Sequence, residues 1–274
     1  MTNEAKKLIL GGTGKTGRRI VRRLEERGVP VRVGSRSGEP PFDWKDRSTW
    51  QAVLEGVDAV YIAYYPDLTV PGAAEDIGAF GAAAVEAGID RIVLLSGRGE
   101  PEAAVSENAL KDAGAEWTVL RCSWFAQNFS EDYLLDAVLS GEVAVPAGDV
   151  PEPFADADDI ADVAVAALTE DGHAGRTYEI TGARALTFAE AVAEIADAAG
   201  RKITFTSVPA EGYAAALKEH GVPDDVTDLL IYLFTTVLDG RNALPADGVR
   251  RALDREPRDF TEFARDTAAT GVWT

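Results

Sequence analysis

The sequence predicts an α/β protein built on a doubly wound parallel sheet, and three observations predict it. Short β-branched runs alternate with helical stretches through the first half of the chain, the pattern of βαβ units. A glycine-rich turn joins the first such run to the first helical stretch. Gly28, Gly56 and Gly88 each fall just past a helical stretch, where left-handed C-caps belong.

Taken in order, Lys7–Leu10 opens the first strand and PVRVG, Pro30–Gly34, forms the second. DAVYIAY from Asp58 to Tyr64, RIVLLS from Arg91 to Ser96 and WTVLR from Trp117 to Arg121 form the third to fifth. Helices are expected between them at about 15–28, 45–55, 72–88 and 101–114. The second half is less regular. Glu142–Val145 reads as a short strand, DIADVAVAAL from Asp159 to Leu168 as a buried small-residue helix, and TYEI from Thr177 to Ile180 as another strand. Thr187 and Glu190 have capping-box spacing ahead of a helix closed by Gly200. The run from Glu211 to Leu238 reads as helical throughout. The expected division is a sheet domain over 1–150 and a smaller mixed α/β lobe over 151–274, with some lobe segments returning to the sheet.

Composition narrows the function. A net charge of −19 and a pI near 4.5 argue against nucleic acid or an anionic membrane as partner, because phosphates require a basic footprint. Cys122 is the only cysteine, so neither an intrachain disulfide nor a cysteine-based metal site is available. No stretch approaches the roughly 18 apolar residues of a membrane span. The start MTNEAKKLIL lacks a signal-like apolar run. A cytoplasmic protein is expected. Asp156, Asp158, Asp159 and Asp162 cluster at a helix start, where capping and the helix dipole account for carboxylates, so no metal is expected.

The chemical signal is LILGGTGKTGRRI. Gly11, Gly14 and Gly17 lie directly after a strand and open a helix. In a Rossmann fold such glycines allow a tight turn, a close backbone approach to a pyrophosphate, and close packing of helix on strand. The helix N-terminus then offers N–H donors and the positive end of its dipole. A nucleoside-triphosphate P-loop would need a glycine at position 9, which is Ile9 inside the strand. At the end of the second strand stands Gly34-Ser35-Arg36-Ser37, with no acid before Glu39. NAD-selective proteins place Asp or Glu there, whereas the Arg36 fork suits a 2′-phosphate, so NADP(H) is the expected cofactor. The basic run Arg18, Arg19, Arg22 and Arg23 reads as a solvated helix surface, with Arg18 near enough to reach a phosphate.

Two strand ends carry further candidates. Ser96 either hydrogen-bonds a substrate oxygen or satisfies its own loop, and Cys122 reads as a buried, inert thiol. Trp124, Phe125 and Asn128 follow, suited either to the core or to an aromatic wall with one polar contact.

GGTGKTGRRIVRRL, GSRS, WTVLRCSWFAQNF, PFADADDIADVAVAAL and PRDFTEFARDTAATGVW together resemble the NmrA-like family of atypical short-chain dehydrogenases/reductases, and within it the agroclavine dehydrogenase-like branch. The resemblance covers essentially the whole chain. It implies a Rossmann-type fold with a smaller substrate lobe, and cofactor contacts at Gly11, Thr13, Gly14, Lys15, Thr16, Gly17, Arg36, Ala63, Tyr64 and Cys122. It also implies a catalytic serine at Ser96 and substrate contacts at Trp124, Phe125 and Asn128. One departure stands out. The Tyr-x-x-x-Lys dyad that protonates a carbonyl would fall on Gly99 and Ala103, and no tyrosine lies between Tyr65 and Tyr133. The expected activity is NADPH-dependent hydride transfer to a small or medium apolar electrophile, such as a quinone, an iminium ion or an activated enone or ketone. The family also contains regulators, so the other reading is an NADP(H)-binding redox sensor acting through a protein partner.

Overall fold

The computed structural model describes residues 5–274. They form two compact units, each made of more than one stretch of chain. The first unit holds the chain up to Cys122, then Ala157–Ile180 and Asp247–Arg255. The second holds Ser123–Asp156, Thr181–Ala246 and Glu256–Thr274.

The first unit is a six-stranded sheet in the order β2-β1-β3-β4-β5-β7, with every pairing parallel. Its strands are β1 (Lys6–Leu10), β2 (Val31–Gly34), β3 (Val57–Ile62), β4 (Arg91–Gly97), β5 (Glu116–Cys122) and β7 (Arg176–Ile180). The helices are α1 (Lys15–Glu26), α2 (Trp50–Leu54), α3 (Ala73–Glu86), α4 (Pro101–Asp112), α7 (Ala157–Thr169) and α11 (Gly248–Leu253). Residues opposite one another in register share a face. Leu8, Val60, Ile92 and Leu94 pack with Trp50, Phe80 and Leu110 on the side of α2, α3 and α4. The alternate residues Ile9, Tyr61 and Val93 are equally buried and face the side of α1 and α7. Cover on both faces explains why these strands read as nearly continuous apolar runs.

α1 and α7 are joined by ions as well as by small side chains. Arg23 pairs with Asp158 at 2.6 Å and with Asp162 at 2.6 Å. Arg19 reaches Asp158 at 3.1 Å, and Arg255 reaches Asp159 at 2.8 Å and Asp162 at 2.6 Å. The arginines read from sequence as solvated and the aspartates read as caps are therefore partners. Each set was explained alone because its counter-charges lie 139 residues away in the chain. At the far edge α11 approaches β7 through Gly248, where a Cβ would run into the backbone of Glu179.

The second unit has a two-stranded parallel sheet of β6 (Glu142–Val145) and β8 (Thr204–Ser207). Around it lie α5 (Asn128–Glu131), α6 (Leu135–Ser140), α8 (Phe188–Ala199), α9 (Ala210–Glu219), α10 (Asp224–Tyr232) and α12 (Phe260–Ala269). The expected capping box is present: Thr187 accepts from Glu190 N–H, and the Glu190 carboxylate accepts from Thr187 N–H. An aromatic core of Phe129, Phe154, Phe188, Phe260, Phe263 and Trp273 fills this unit. Trp273 is fully buried and donates its indole N–H to the carbonyl of Phe129 at 2.9 Å. The helix expected over 211–238 is broken. α9 ends before Gly221, Pro223 caps α10, and Leu233–Val237 forms a π turn. Pro223 has no N–H to continue a helical ladder, which forces the interruption.

The chain leaves the first unit at Cys122 and returns to it twice, at Ala157 and at Asp247. Among the described residues no helix is long and apolar enough to cross a membrane.

Candidate functional site

β1 has β2 on one side and β3 on the other, so the direction of winding reverses at β1/β3. Ligands of doubly wound sheets bind beyond the carboxyl ends of the strands at such a point. The glycine loop lies there. Gly11 has φ +76°, a conformation that strains any other residue, and a Cβ would come within 3.0 Å of the Ala63 Cβ. A Cβ on Gly17 would enter the backbone of Gly11 and Gly12. Gly12, not singled out in the sequence, is also required, because its Cβ would crowd Val33.

The loop leaves α1 open at its start. Gly14 at the N-cap has no side chain to bond the first turn, and that turn contains no acid. Uncapped N–H donors and an unopposed dipole favour an anion. Thr13 and Gly14 are exposed and Lys15 is half-buried. Thr16 is buried, and its hydroxyl accepts from Tyr61 at 2.9 Å, so its side chain ties the helix to the sheet. The cradle thus fits a pyrophosphate held by backbone.

Arg36 lies just past β2, exposed and without an ion-pair or hydrogen-bond partner among the described residues. It contrasts with Arg19 and Arg23, which are held by carboxylates. At the end of β3, Ala63 packs against Gly11 and its N–H donates to Leu10 O at 3.2 Å. Tyr64 turns its hydroxyl to Asp76 at 2.9 Å, and burial followed by the Asp76 contact pushes that phenol up to about 12.

At the end of β4, Ser96 is buried and donates its hydroxyl hydrogen to Glu107 Oε1 at 2.8 Å. Glu107 also receives Arg121 in a two-pronged pair at 2.8 and 2.7 Å. Burial alone would raise the Glu107 carboxyl, but hydrogen bonds from Arg121 and Ser96 hold it below the usual value. Ser96 therefore anchors β4 to α4, and its one hydrogen is committed. Cys122 ends β5 with its thiol buried and raised by desolvation, which disfavours the thiolate.

A residue missed in the sequence sits beside Ser96. Glu100 precedes α4 and makes no capping bond. Its Oε2 is sealed from solvent without a hydrogen-bond partner. Burial, then the charges of Asp67 and Glu102, push the carboxyl up to about 8. An acid just before Pro101 looks like an ordinary helix start, which concealed it.

Trp124, Phe125 and Asn128 belong to the second unit. Trp124 is half-buried, its ring 5.3 Å from Phe188 and 4.7 Å from Phe234. Phe125 bridges to Ala155, and Asn128 begins α5. Among the described residues no group of three or more His, Cys, Asp and Glu side chains has metal-holding geometry.

A parallel sheet with a glycine-built cradle at its switch point defines the class of dinucleotide-binding Rossmann proteins. Comparison with known proteins agrees. A family model described as NAD(P)H-binding matches residues 11–171. An uncharacterized oxidoreductase of Bacillus subtilis is 34% identical, covering 97% of this chain and 97% of its own. Agroclavine dehydrogenase of Claviceps fusiformis is 31% identical over 97% of this chain and 98% of its own. The structure of an NADPH-dependent quinone oxidoreductase from Escherichia coli shares the fold, with a TM-score of 0.79, 24% identity, and cover of 95% of this chain and 99% of that one. The chain belongs to the NAD(P)H-binding family. It is an NAD(P)H-dependent oxidoreductase.

Proposed function

We propose that this protein is a cytoplasmic, NADPH-dependent reductase of a small or medium apolar electrophile: a quinone, an iminium ion or an activated enone or ketone. The carrying observation is the pairing of an acid-free, uncapped α1 N-terminus after β1 with an exposed Arg36 after the adjacent strand β2, an arginine without an ion-pair partner among the described residues. Backbone donors at Gly11–Gly17, with Thr13 and Lys15 beside them, hold the pyrophosphate. Arg36 takes the 2′-phosphate, a group that only NADP(H) carries. Ala63, Tyr64 and Cys122 at the ends of β3 and β5 flank the rest of the cofactor. When bound, the reduced nicotinamide supplies a hydride.

The acceptor class follows from the sites of the missing dyad, Gly99 and Ala103. Quinones, iminium ions and activated enones draw a hydride by their own electrophilicity, and the names of the two characterised relatives above are compatible with that range. Acceptor contacts are assigned to Trp124, Phe125 and Asn128, which continue directly from β5. Cys122, as a lone thiol, stays reduced in the cytoplasm.

The test is NADPH absorbance decay with a panel of quinones, cyclic imines and enones, on the native chain and Arg36→Glu. Acceptor-dependent turnover is expected, with KM for NADPH raised about tenfold to a hundredfold by the substitution and KM for NADH nearly unmoved. Tight NADPH binding without turnover on any acceptor would instead support a redox sensor working through a protein partner.

A further inference from the structure

We propose that the Glu100 carboxyl is the acid that delivers the proton accompanying hydride transfer, at the strand end where the Tyr-x-x-x-Lys dyad is absent. The inference rests on the reductase reading above.

Its first support is position. Gly97 is the last residue of β4, and a Cβ there would overlap the Glu100 carboxyl. The side chain therefore folds back over the strand end, where a residue at a helix start would usually reach for solvent or the first turn. Glu100 also immediately follows Gly99, the position that the dyad tyrosine would hold. Sheet order places this point on the correct flank. Arg36 lies past β2 on one side of β1, while β3 and then β4 lie on the other. Strands are spaced by about 4.8 Å, so β4 ends roughly 10 Å from the glycine loop. A dinucleotide with its pyrophosphate over β1 and its 2′-phosphate at β2 has only the β3–β4 side for its nicotinamide half.

The second support is that the fold gains nothing visible from this arrangement. Glu100 Oε2 is buried without a partner, which is unfavourable for a polar group. Ser, Thr, Asp or Asn would cap α4, whereas Glu100 forms no capping bond. The arginines at the neighbouring strand ends are engaged by other acids: Arg98 pairs with Glu179 at 3.0 Å and Arg121 with Glu107 at 2.7 Å. The charges acting on the carboxyl are Asp67, in the loop after β3, and Glu102, in α4, and both are acids. Burial and these neighbours keep it protonated near neutral pH, as a general acid requires.

The step balances. With an enone, hydride from the reduced nicotinamide forms a C–H bond at the β-carbon, and the π electrons move toward oxygen. The Glu100 O–H bond breaks and its proton joins the enolate. Products are the saturated ketone, the oxidised nicotinamide and a carboxylate that regains a proton from water. An iminium ion becomes a neutral amine on accepting hydride alone and requires no proton.

That difference makes the test. Single-turnover NADPH oxidation would be followed from pH 6 to 10 with an activated enone and with an N-alkylated cyclic iminium salt, on the native chain, Glu100→Gln and Glu100→Asp. In parallel, carboxyl-13C glutamate labelling would follow the titration of Glu100 by NMR. The expected result is an enone rate that declines above about pH 8, a loss of about a hundredfold in Glu100→Gln on the enone, and at least about tenfold less loss on the iminium salt. Glu100→Asp should recover part of the enone rate with a displaced pH midpoint. One carboxyl resonance should titrate near 8 and be missing from Glu100→Gln. Equal losses on both acceptors, an unchanged enone rate, or titration in the ordinary glutamate range would each overturn the proposal. If the native chain reduces neither acceptor while the NMR titration is as expected, the reductase reading fails and takes the donor role with it.

Discussion

Between about pH 4.5 and 8 the folded chain holds a proton on Glu100 that the unfolded chain has released. A raised folded value means that stability is full below the unfolded value and declines as pH rises through this window. Glu100→Gln should flatten that slope. At pH 9 it should melt several degrees above the native chain, on a scale of about 2–4 °C per kcal/mol for this size, and at pH 4 the two should coincide. Scanning calorimetry across pH reads this directly. Glu107, held below its usual value, has the opposite sign: its contribution is present above about 4.5 and is lost as pH falls further. In the loop, Gly17→Ala should cost about 1–3 kcal/mol by forcing a methyl into the Gly11–Gly12 backbone, and should abolish NADPH fluorescence enhancement.

α1 and α7 are held by particular ion pairs as well as by apolar area. Arg23 is largely buried and joins both Asp158 and Asp162, so Arg23→Ala removes the cation that bridges the two carboxylates, leaving Asp158 to Arg19 and Asp162 to Arg255. It should destabilise the chain by about 2–4 kcal/mol in urea unfolding, more than Arg22→Ala on the exposed side of the same helix. Neither end of this ladder signals the other in the sequence. Elements whose pattern is local were legible: β1 to β5, the five-strand core of the nucleotide site, and the α8 capping box all lie where the spacing puts them. β8 was not, because Thr204–Ser207 is mostly exposed, has no apolar alternation, and is a strand only by pairing with β6. The break at Pro223 was legible in principle, and the apolar run after it masked the signal. Within the proposed site, Gly11, Gly14, Gly17 and Arg36 stood out by motif. Glu100 did not, because its burial depends on how the chain folds back at Gly97.

At the scale of the whole molecule, neither unit is a continuous piece of chain. A fragment of residues 1–150 would lack β7, α7 and α11, leaving the outer edge of β5 unpaired and Arg19 and Arg23 without their acids. Such a fragment should be aggregated or without a cooperative melt in circular dichroism and size-exclusion chromatography. The second unit depends on its last segment in the same way. Trp273→Ala removes a fully buried indole and its bond to Phe129, and should cost about 3–5 kcal/mol in denaturant unfolding.

The solitary Arg36 has a kinetic counterpart. Nicotinamide dinucleotides are anions, and the chain they approach carries a net charge of −19. Diffusional encounter is therefore uphill in the far field and turns favourable only within reach of the exposed guanidinium. At 0.01 M salt the repulsion extends for about 30 Å, and at 0.15 M for about 8 Å. Added salt should thus quicken capture of NADPH while shortening its stay, since the proposed contact at Arg36 is itself screened. In stopped-flow fluorescence the association and dissociation rate constants should both rise with ionic strength. The usual rule for oppositely charged partners, faster meeting at low salt, is inverted for this chain by its own surface.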